Sequence, residues 1–146
     1  LKKSNGYCFK SSQGYVPICK VNIIKNRFSI KKKRSSIKIQ SFEVQHGMIK
    51  STAYVFEKIA YISDANKIPR KYLKYLFNLD LLVLDCLKYS KHPSHFNYEE
   101  ALNLSKMLNP KKTIFTNLHS ELDYSKLKNQ LPKSIVPAYD GLSFNF

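Results

Sequence analysis

The first third of this 146-residue sequence lacks acidic side chains, because no Asp or Glu precedes Glu43. Lysines and arginines are frequent in the same region, as in IKKKRSS at 30–36, and the formal charge of the whole chain is +15. A basic surface attracts polyanions such as phosphate compounds and nucleic acids. The excess is nearly all lysine, and Ile, Asn, Lys and Tyr are abundant, as an AT-rich genome would encode. Compositional drift is therefore the alternative explanation of the charge.

Long apolar runs and paired cysteine motifs are also missing. No stretch reaches the length needed to cross a bilayer and no signal peptide is recognisable, so we expect no membrane association. Cys8, Cys19 and Cys86 show no CxxC spacing, which argues against a disulfide framework and favours a reducing compartment, here the cytoplasm. The length fits one domain or part of one. Because the sequence starts with Leu in a polar stretch, we expect a fragment.

The pattern of hydrophobic residues predicts a mixed sheet with helices packed outside it, an α/β (α+β) fold. Residues 26–44 and 51–64 each predict a hairpin, since β-branched and aromatic residues are enriched there. The apolar run at 79–87 predicts a strand that is covered on both faces. The other predicted elements are helices at 67–79, 97–108 and 123–131, a strand at 112–117, a closing strand pair at 134–139 and 142–146, and a short extended piece suggested by 6–9 and 14–24, with Pro17 at an edge or turn.

Polar residues with metal-binding or catalytic chemistry follow the predicted strands. In open α/β sheets, functional side chains gather in the loops beyond the strand ends. Imidazole nitrogens and carboxylate oxygens are ligands that suit zinc or manganese. Each residue also has a structural explanation, such as a helix cap, a turn or full solvation, so spacing alone leaves both alternatives open. The residues concerned are His46, Asp64, Asp85, His92, His95 and His119.

Five ordered stretches resemble the C-terminal half of metallo-β-lactamase-fold hydrolases: FEVQHG, IAYISDANKIP, LDLLVLDCLKYSKHPSHFNYEEAL, TIFTNLHSELDY and PAYDGLSF. They most resemble the group that contains the phosphoribosyl 1,2-cyclic phosphate phosphodiesterase. The resemblance implies that residues 1–146 form one partial domain of an αββα sandwich, without the N-terminal half that carries the HxHxDH motif. It also implies that this chain alone has little or no hydrolase activity and binds metal weakly.

The resemblance implies a metal-ligand set in this chain. His46 and Asp64 would bind a pair of divalent ions, zinc or manganese, with Asp64 bridging the two. His119 would be the last ligand from this half. Relatives carry Thr-His where this sequence has Thr116 and Asn117, so His119 would act as a substitute for the usual histidine.

The resemblance also implies catalytic residues and a substrate class. His95 resembles the residue that contacts the scissile phosphate or donates a proton to the leaving group, and His92 would be auxiliary. The expected function is metal-dependent hydrolysis of a small phosphorylated substrate, a phosphodiester such as a cyclic phosphate.

Two alternative functions with a nucleic-acid partner stay open, and we also expect self-association. The first alternative is a basic module that binds nucleic acid and stacks Tyr7, Phe9, Tyr15 and Phe28 on bases. The second is a tRNA-processing nuclease of the same fold. A sheet face that lacks its covering layer also leads us to expect self-association, for instance as a homodimer.

Overall fold

The computed structural model describes residues 5–11 and 14–144, and within them the strands form one seven-stranded mixed sheet in the order β1-β2-β3-β4-β5-β6-β7. The strands are β1 (Arg27–Lys32), β2 (Ser35–His46), β3 (Ile49–Phe56), β4 (Ile59–Ile62), β5 (Leu81–Asp85), β6 (Lys112–Thr116) and β7 (Ile135–Pro137). The helices are α1 (Tyr98–Leu108), α2 (Tyr124–Gln130) and the short 3-10 segments Gly6–Cys8 and Arg70–Tyr75. No helix among the described residues is both long enough and apolar enough to cross a membrane.

The connections between strands determine their directions. Two-residue turns join β1 to β2, β2 to β3 and β3 to β4, and each turn contains one residue with positive φ: Lys33, Gly47 and Glu57. These pairs are antiparallel, whereas longer connections make β4, β5, β6 and β7 parallel. Because β2 runs in the same direction as β4, the C-terminal ends of β2, β4, β5 and β6 lie along one edge of the sheet.

One face of the sheet forms the hydrophobic core. Phe42, Leu82 and Phe115 are buried on this face, and they belong to one cluster with residues of the helical segments. The helical residues in that cluster are Leu76, Ala101, Leu108 and Leu127. The predicted arrangement of a mixed sheet with helices packed outside it is therefore confirmed.

The opposite face of the sheet is less well covered. Tyr54, Tyr61 and Val83 alternate with core residues along β3, β4 and β5, and the sheet register places them side by side. Tyr54 and Val83 are half-buried, and Tyr61 is 43% exposed. We call this surface the open face.

The helix predicted at 67–79 is a correction, because the structure contains only the 3-10 segment Arg70–Tyr75 there. The Tyr72 ring stacks on Phe42 with 4.7 Å between ring centroids, which holds the segment against the sheet. Asn78 then takes a left-handed conformation, with a φ of 58°, and turns the chain into β5. Packing and this reversal leave room for only six residues of 3-10 helix, so tertiary contacts override the helical period.

The closing strand pair predicted at 134–139 and 142–146 is a second correction. β7 pairs only with β6, in parallel, and residues 142–144 form no strand, while 145–146 lie outside the described residues. Pro137 has no N–H to donate to a new partner, and Gly141 turns the chain with a φ of 88°.

The extended piece predicted from 6–9 and 14–24 is a third correction, since Gly6–Cys8 is a 3-10 helix and residues 14–24 belong to no strand of the sheet. The Cys8 N–H donates to the Asn5 carbonyl over 3.0 Å, and the Phe9 N–H donates to the Gly6 carbonyl over 3.1 Å. These local hydrogen bonds satisfy the backbone without a neighbouring strand.

Candidate metal centre

His46 is the last residue of β2, and hydrogen bonds on both sides hold its backbone. The next residue, Gly47, has a φ of 60° and donates its N–H to Asn66 Oδ1 over 3.2 Å. The N–H of Gln45 donates to the Lys67 carbonyl over 2.9 Å. The end of β2 is therefore fixed against the segment that follows β4, and the imidazole stands at the sheet edge.

Asp64 follows β4 in a left-handed conformation with a φ of 47°. Its carbonyl accepts a hydrogen bond from the Ser51 hydroxyl over 2.6 Å, which fixes the backbone. Its carboxylate has only long contacts among the described residues: 3.4 Å from Asn117 Nδ2 to Oδ1 and 3.4 Å from the Ser63 hydroxyl to Oδ2. The next helical segment begins only at Arg70, so Asp64 does not cap a helix. Its carboxylate can turn toward a cation.

Asp85 ends the central strand β5 with its side chain fully buried, and it supports His95. Asp85 Oδ2 accepts hydrogen bonds from the Ala65 N–H at 2.8 Å and from His95 Nδ1 at 2.7 Å. Removal from water raises the pKa of the Asp85 carboxyl, while these two hydrogen bonds oppose the rise. Because Oδ2 is an acceptor for both groups, the proton of the neutral His95 ring lies on Nδ1. The His95 Nε2 lone pair is then free to face the site.

The loop that carries His92 and His95 is fixed by backbone hydrogen bonds. The Phe96 N–H donates to the Ala65 carbonyl over 2.7 Å, and Asn66 Nδ2 donates to the Pro93 carbonyl over 2.9 Å. The same segment after β4 therefore holds both the turn at His46 and the loop at His95. A rigid loop places His95 precisely, as a functional side chain requires.

His46, Asp64 and His95 converge at the sheet edge. Their ligand atoms all lie within 4.8 Å of one another. The two Nε2 atoms of His46 and His95 are 3.2 Å apart, and their rings meet at 65° with 4.7 Å between centroids. We call these three residues the donor cluster.

His92 lies beside the donor cluster but contributes no ligand atom to it. Its ring centroid is 5.2 Å from that of His95, and its Nδ1 accepts a hydrogen bond from the Ser94 N–H over 3.3 Å. Desolvation and then the neighbouring His95 lower the pKa of His92. His92 is therefore favoured in its neutral form.

The structure does not bring His119 into the donor cluster. Its N–H donates to the Leu87 carbonyl over 2.8 Å, which fixes the backbone, but its half-exposed side chain faces Glu121. His119 Nδ1 lies 3.9 Å from a Glu121 carboxylate oxygen. The residue after β6 that reaches Asp64 is Asn117, which has a φ of 61°.

Asp85 and Asn117 belong to the site, although the family resemblance assigns neither of them a metal-binding or catalytic role. Asp85 carried a usable signal, because a carboxylate at the end of a near-continuous apolar run is expected to be buried and must then have a partner. The signal for Asn117 was that it stands where relatives carry the ligand histidine, whereas its contact with Asp64 spans 53 residues of sequence and is visible only in the structure.

The donor cluster fits a divalent metal ion. Two imidazoles and one carboxylate form a typical three-residue ligand set for zinc, and manganese also accepts them. The buried Asp85 behind His95 is the outer carboxylate that commonly orients a ligating histidine. The chemistry of the donors therefore supports a cation at this edge.

The protein is an α/β protein with two histidines and an aspartate gathered at one sheet edge, and sequence comparison gives its family. A family profile described as Beta-lactamase superfamily domain matches residues 1–117. The chain belongs to this superfamily, which is a superfamily of hydrolases whose fold generally binds divalent metals. No curated protein matches the chain.

Several solved structures share the fold. A diphosphatase from the PhnP family is 30% identical with a TM-score of 0.77, and the match covers 84% of this chain and 47% of that chain. The metallo-beta-lactamase fold protein YhfI from Bacillus subtilis is 15% identical with a TM-score of 0.65, over 82% and 53%. Human tRNase Z, short form, is 18% identical with a TM-score of 0.58, over 80% and 46%. The chain thus spans about half the length of the structures it matches.

Proposed function

We propose that this chain forms part of the active site of a metal-dependent hydrolase that cleaves phosphodiester bonds in small anionic substrates. The convergence of His46, Asp64 and His95 within 4.8 Å at one sheet edge carries this proposal. A divalent ion, when bound, supplies the positive charge that stabilises a developing charge on phosphate oxygens.

His46 and Asp64 are the metal ligands that this chain contributes in the whole protein. Two ions, zinc or manganese, need more donors than these two residues offer, so we propose that the remaining ligands come from the part of the fold that the match to the PhnP-family diphosphatase does not cover. The exposed, weakly held carboxylate of Asp64 supports a position between two cations. His119 is left out of this set, because its side chain faces Glu121.

His95 is the residue that contacts the phosphate or protonates the leaving group, and Asp85 positions it. A carboxylate on Nδ1 orients the ring and stabilises the imidazolium, which is the form that donates a proton. His92, 5.2 Å from His95 between ring centroids, is auxiliary.

The proposed substrate class is supported by the net charge of the chain and by one similar solved structure. The formal charge of +15 favours anionic substrates and raises their encounter rate. The PhnP-family protein that is 30% identical is a diphosphatase, which supports cleavage of a phosphorus–oxygen bond. A cyclic phosphate is the phosphodiester that we propose, and this chain alone is expected to hydrolyse it slowly or not at all.

The direct test joins this chain to the part of the PhnP-family diphosphatase that it does not match. The chimera is assayed with Zn²⁺ or Mn²⁺ on bis(p-nitrophenyl) phosphate and on a five-membered cyclic phosphodiester. We expect metal-dependent hydrolysis that falls at least about 100-fold in the His46→Gln variant. A chimera that binds two ions per molecule but cleaves p-nitrophenyl acetate faster than either phosphodiester would contradict the proposed substrate class.

A nucleic-acid substrate is the second candidate, and the charge distribution favours it. No acidic residue precedes Glu43, so the charged side chains of the first third of the chain are all basic. If RNA is the substrate, the affinity for a single-stranded oligonucleotide should fall at least about 10³-fold between roughly 50 and 200 mM salt. A weak, salt-independent affinity would exclude this candidate.

A further inference from the structure

His46 and His95 face each other through the nitrogens that bind metals. The two Nε2 atoms are 3.2 Å apart. Zinc binds imidazole nitrogen at about 2.0–2.1 Å in tetrahedral geometry, which places two such nitrogens about 3.3 Å apart. The observed separation therefore matches the spacing of two ligands on one ion.

His95 is held in the form that binds a metal. Its Nδ1–H donates to Asp85 Oδ2 over 2.7 Å, and Asp85 is buried and fixed by the Ala65 N–H. This carboxylate–histidine contact leaves the lone pair of the neutral ring on Nε2, which points at His46. A hydrogen bond from His46 Nε2–H would satisfy the same distance, and the experiment below separates the two arrangements.

The carboxylate of Asp64 can reach an ion between the two histidines with a small movement. The ligand oxygen of Asp64 lies within 4.8 Å of both histidine nitrogens. Its contacts with Asn117 and Ser63 are both 3.4 Å long, so a turn of the carboxylate breaks no strong hydrogen bond.

We propose that His95 is itself a metal ligand in this chain, and that it holds one divalent ion together with His46 and Asp64. The inference rests on the metal site of the proposed function. This inference changes the role of His95. In the whole protein His95 Nε2 would donate a proton, whereas in this chain alone the same nitrogen binds the ion. This chain alone is therefore expected to bind one ion in an arrangement in which His95 cannot assist hydrolysis.

The test is a titration of this chain with Co²⁺, followed by visible absorption, and with Zn²⁺, followed by calorimetry. The wild type should bind one equivalent with the intense absorption of four-coordinate cobalt. His95→Gln and His46→Gln should each weaken binding at least about 10-fold and reduce that absorption. His119→Gln is the matched control, because its side chain faces Glu121, and it should bind like the wild type.

A second variant keeps the test decisive if His95→Gln does not fold, as judged by circular dichroism. Asp85→Asn retains the shape of the side chain but removes the carboxylate that orients His95, and it should weaken binding about 10- to 100-fold. Unchanged affinity in this variant would count against the ligand role of His95.

The outcomes separate the inference from the proposed function. If His46→Gln loses the ion and His95→Gln binds it like the wild type, His95 is not a ligand and only the inference falls. If neither variant changes binding, the donor cluster is not the metal site and the proposed function falls too. Two tightly bound equivalents, or an equal loss in His119→Gln, would also overturn the inference.

Discussion

Replacing Gly47 by alanine should loosen the contact between the turn after His46 and the loop that carries His95. Gly47 follows His46 directly and has a φ of 60°, which costs an L-residue about 1–2 kcal/mol. A Cβ at this position would lie 3.0 Å from Ser94 Cβ and 3.5 Å from Ser94 Cα. Neither atom is the end of a flexible chain, so the close contact should add about 1 kcal/mol, the low end for overpacking. The expected total is about 2–3 kcal/mol of lost stability.

Two further variants isolate the steric part of this effect. Gly141→Ala is the matched control, because Gly141 has a φ of 88° but no atom within 4 Å of its added Cβ. It should cost only the conformational part, about 1–2 kcal/mol. Ser94→Gly removes the contacting Cβ, so the Gly47→Ala/Ser94→Gly double variant should recover about 1 kcal/mol in a double-mutant cycle.

Urea unfolding measures these free energies, and Co²⁺ titration measures the effect on the site. Because Ser94 adjoins His95, Gly47→Ala should weaken Co²⁺ binding, whereas Gly141→Ala should leave it unchanged. Equal destabilisation by the two glycine substitutions, without coupling to Ser94→Gly, would refute the reasoning.

Four more predictions concern the core, the thiols, the first helix and the open face. Leu82→Ala in the buried strand β5 should cost about 2–5 kcal/mol in urea unfolding, while Ile30→Ala, at a 55% exposed position, should cost about 0.5 kcal/mol or less. Burial raises the pKa of Cys86 to about 12, so at pH 8 iodoacetamide should modify the exposed Cys19 and leave Cys86 unmodified until the protein unfolds; equal rates would contradict this. Asn97→Ala removes the capping box of α1 and should cost about 0.5–2 kcal/mol in thermal unfolding, whereas no change would show that the cap is dispensable. Tyr61→Glu on the open face should shift the sedimentation coefficient toward the monomer, and a wild type that is monomeric at high concentration would contradict self-association.

The sheet was predictable because its signals are local. Alternation in 26–44 gave the β1–β2 hairpin, the apolar run at 79–87 gave the central strand, and Asn97 with Glu100 gave the capping box. The segment 67–79 has a helical pattern too, but contacts with the sheet restrict it to a six-residue 3-10 helix. Local periodicity cannot report such long-range packing.

The site was predictable in part for a related reason. His46 ends β2, Asp64 follows β4, and His95 lies in the loop after β5. The C-terminal ends of these strands lie along one edge of the sheet, so the topology brings the three residues to the same region. The side-chain direction of His119 depends on its contact with Glu121, which spacing does not reveal. The buried contact of Asp85 with His95 likewise depends on the path of the loop between them.

The open face of the sheet is only partly covered by the described residues. The chain spans about half the length of the structures that it matches, for example 47% of the PhnP-family diphosphatase. Tyr54, Tyr61 and Val83 are apolar groups on a sheet face that remains partly exposed. A second layer would bury them by the hydrophobic effect and could bring further metal ligands to the same edge.

The most direct measurement is the position of a bound ion. Crystals of this chain grown with Zn²⁺ should give one anomalous difference peak at the zinc absorption edge. The peak should lie about 2.0–2.2 Å from the Nε2 atoms of His46 and His95 and from a carboxylate oxygen of Asp64. A peak at another position, or no peak at this edge of the sheet, would contradict the account.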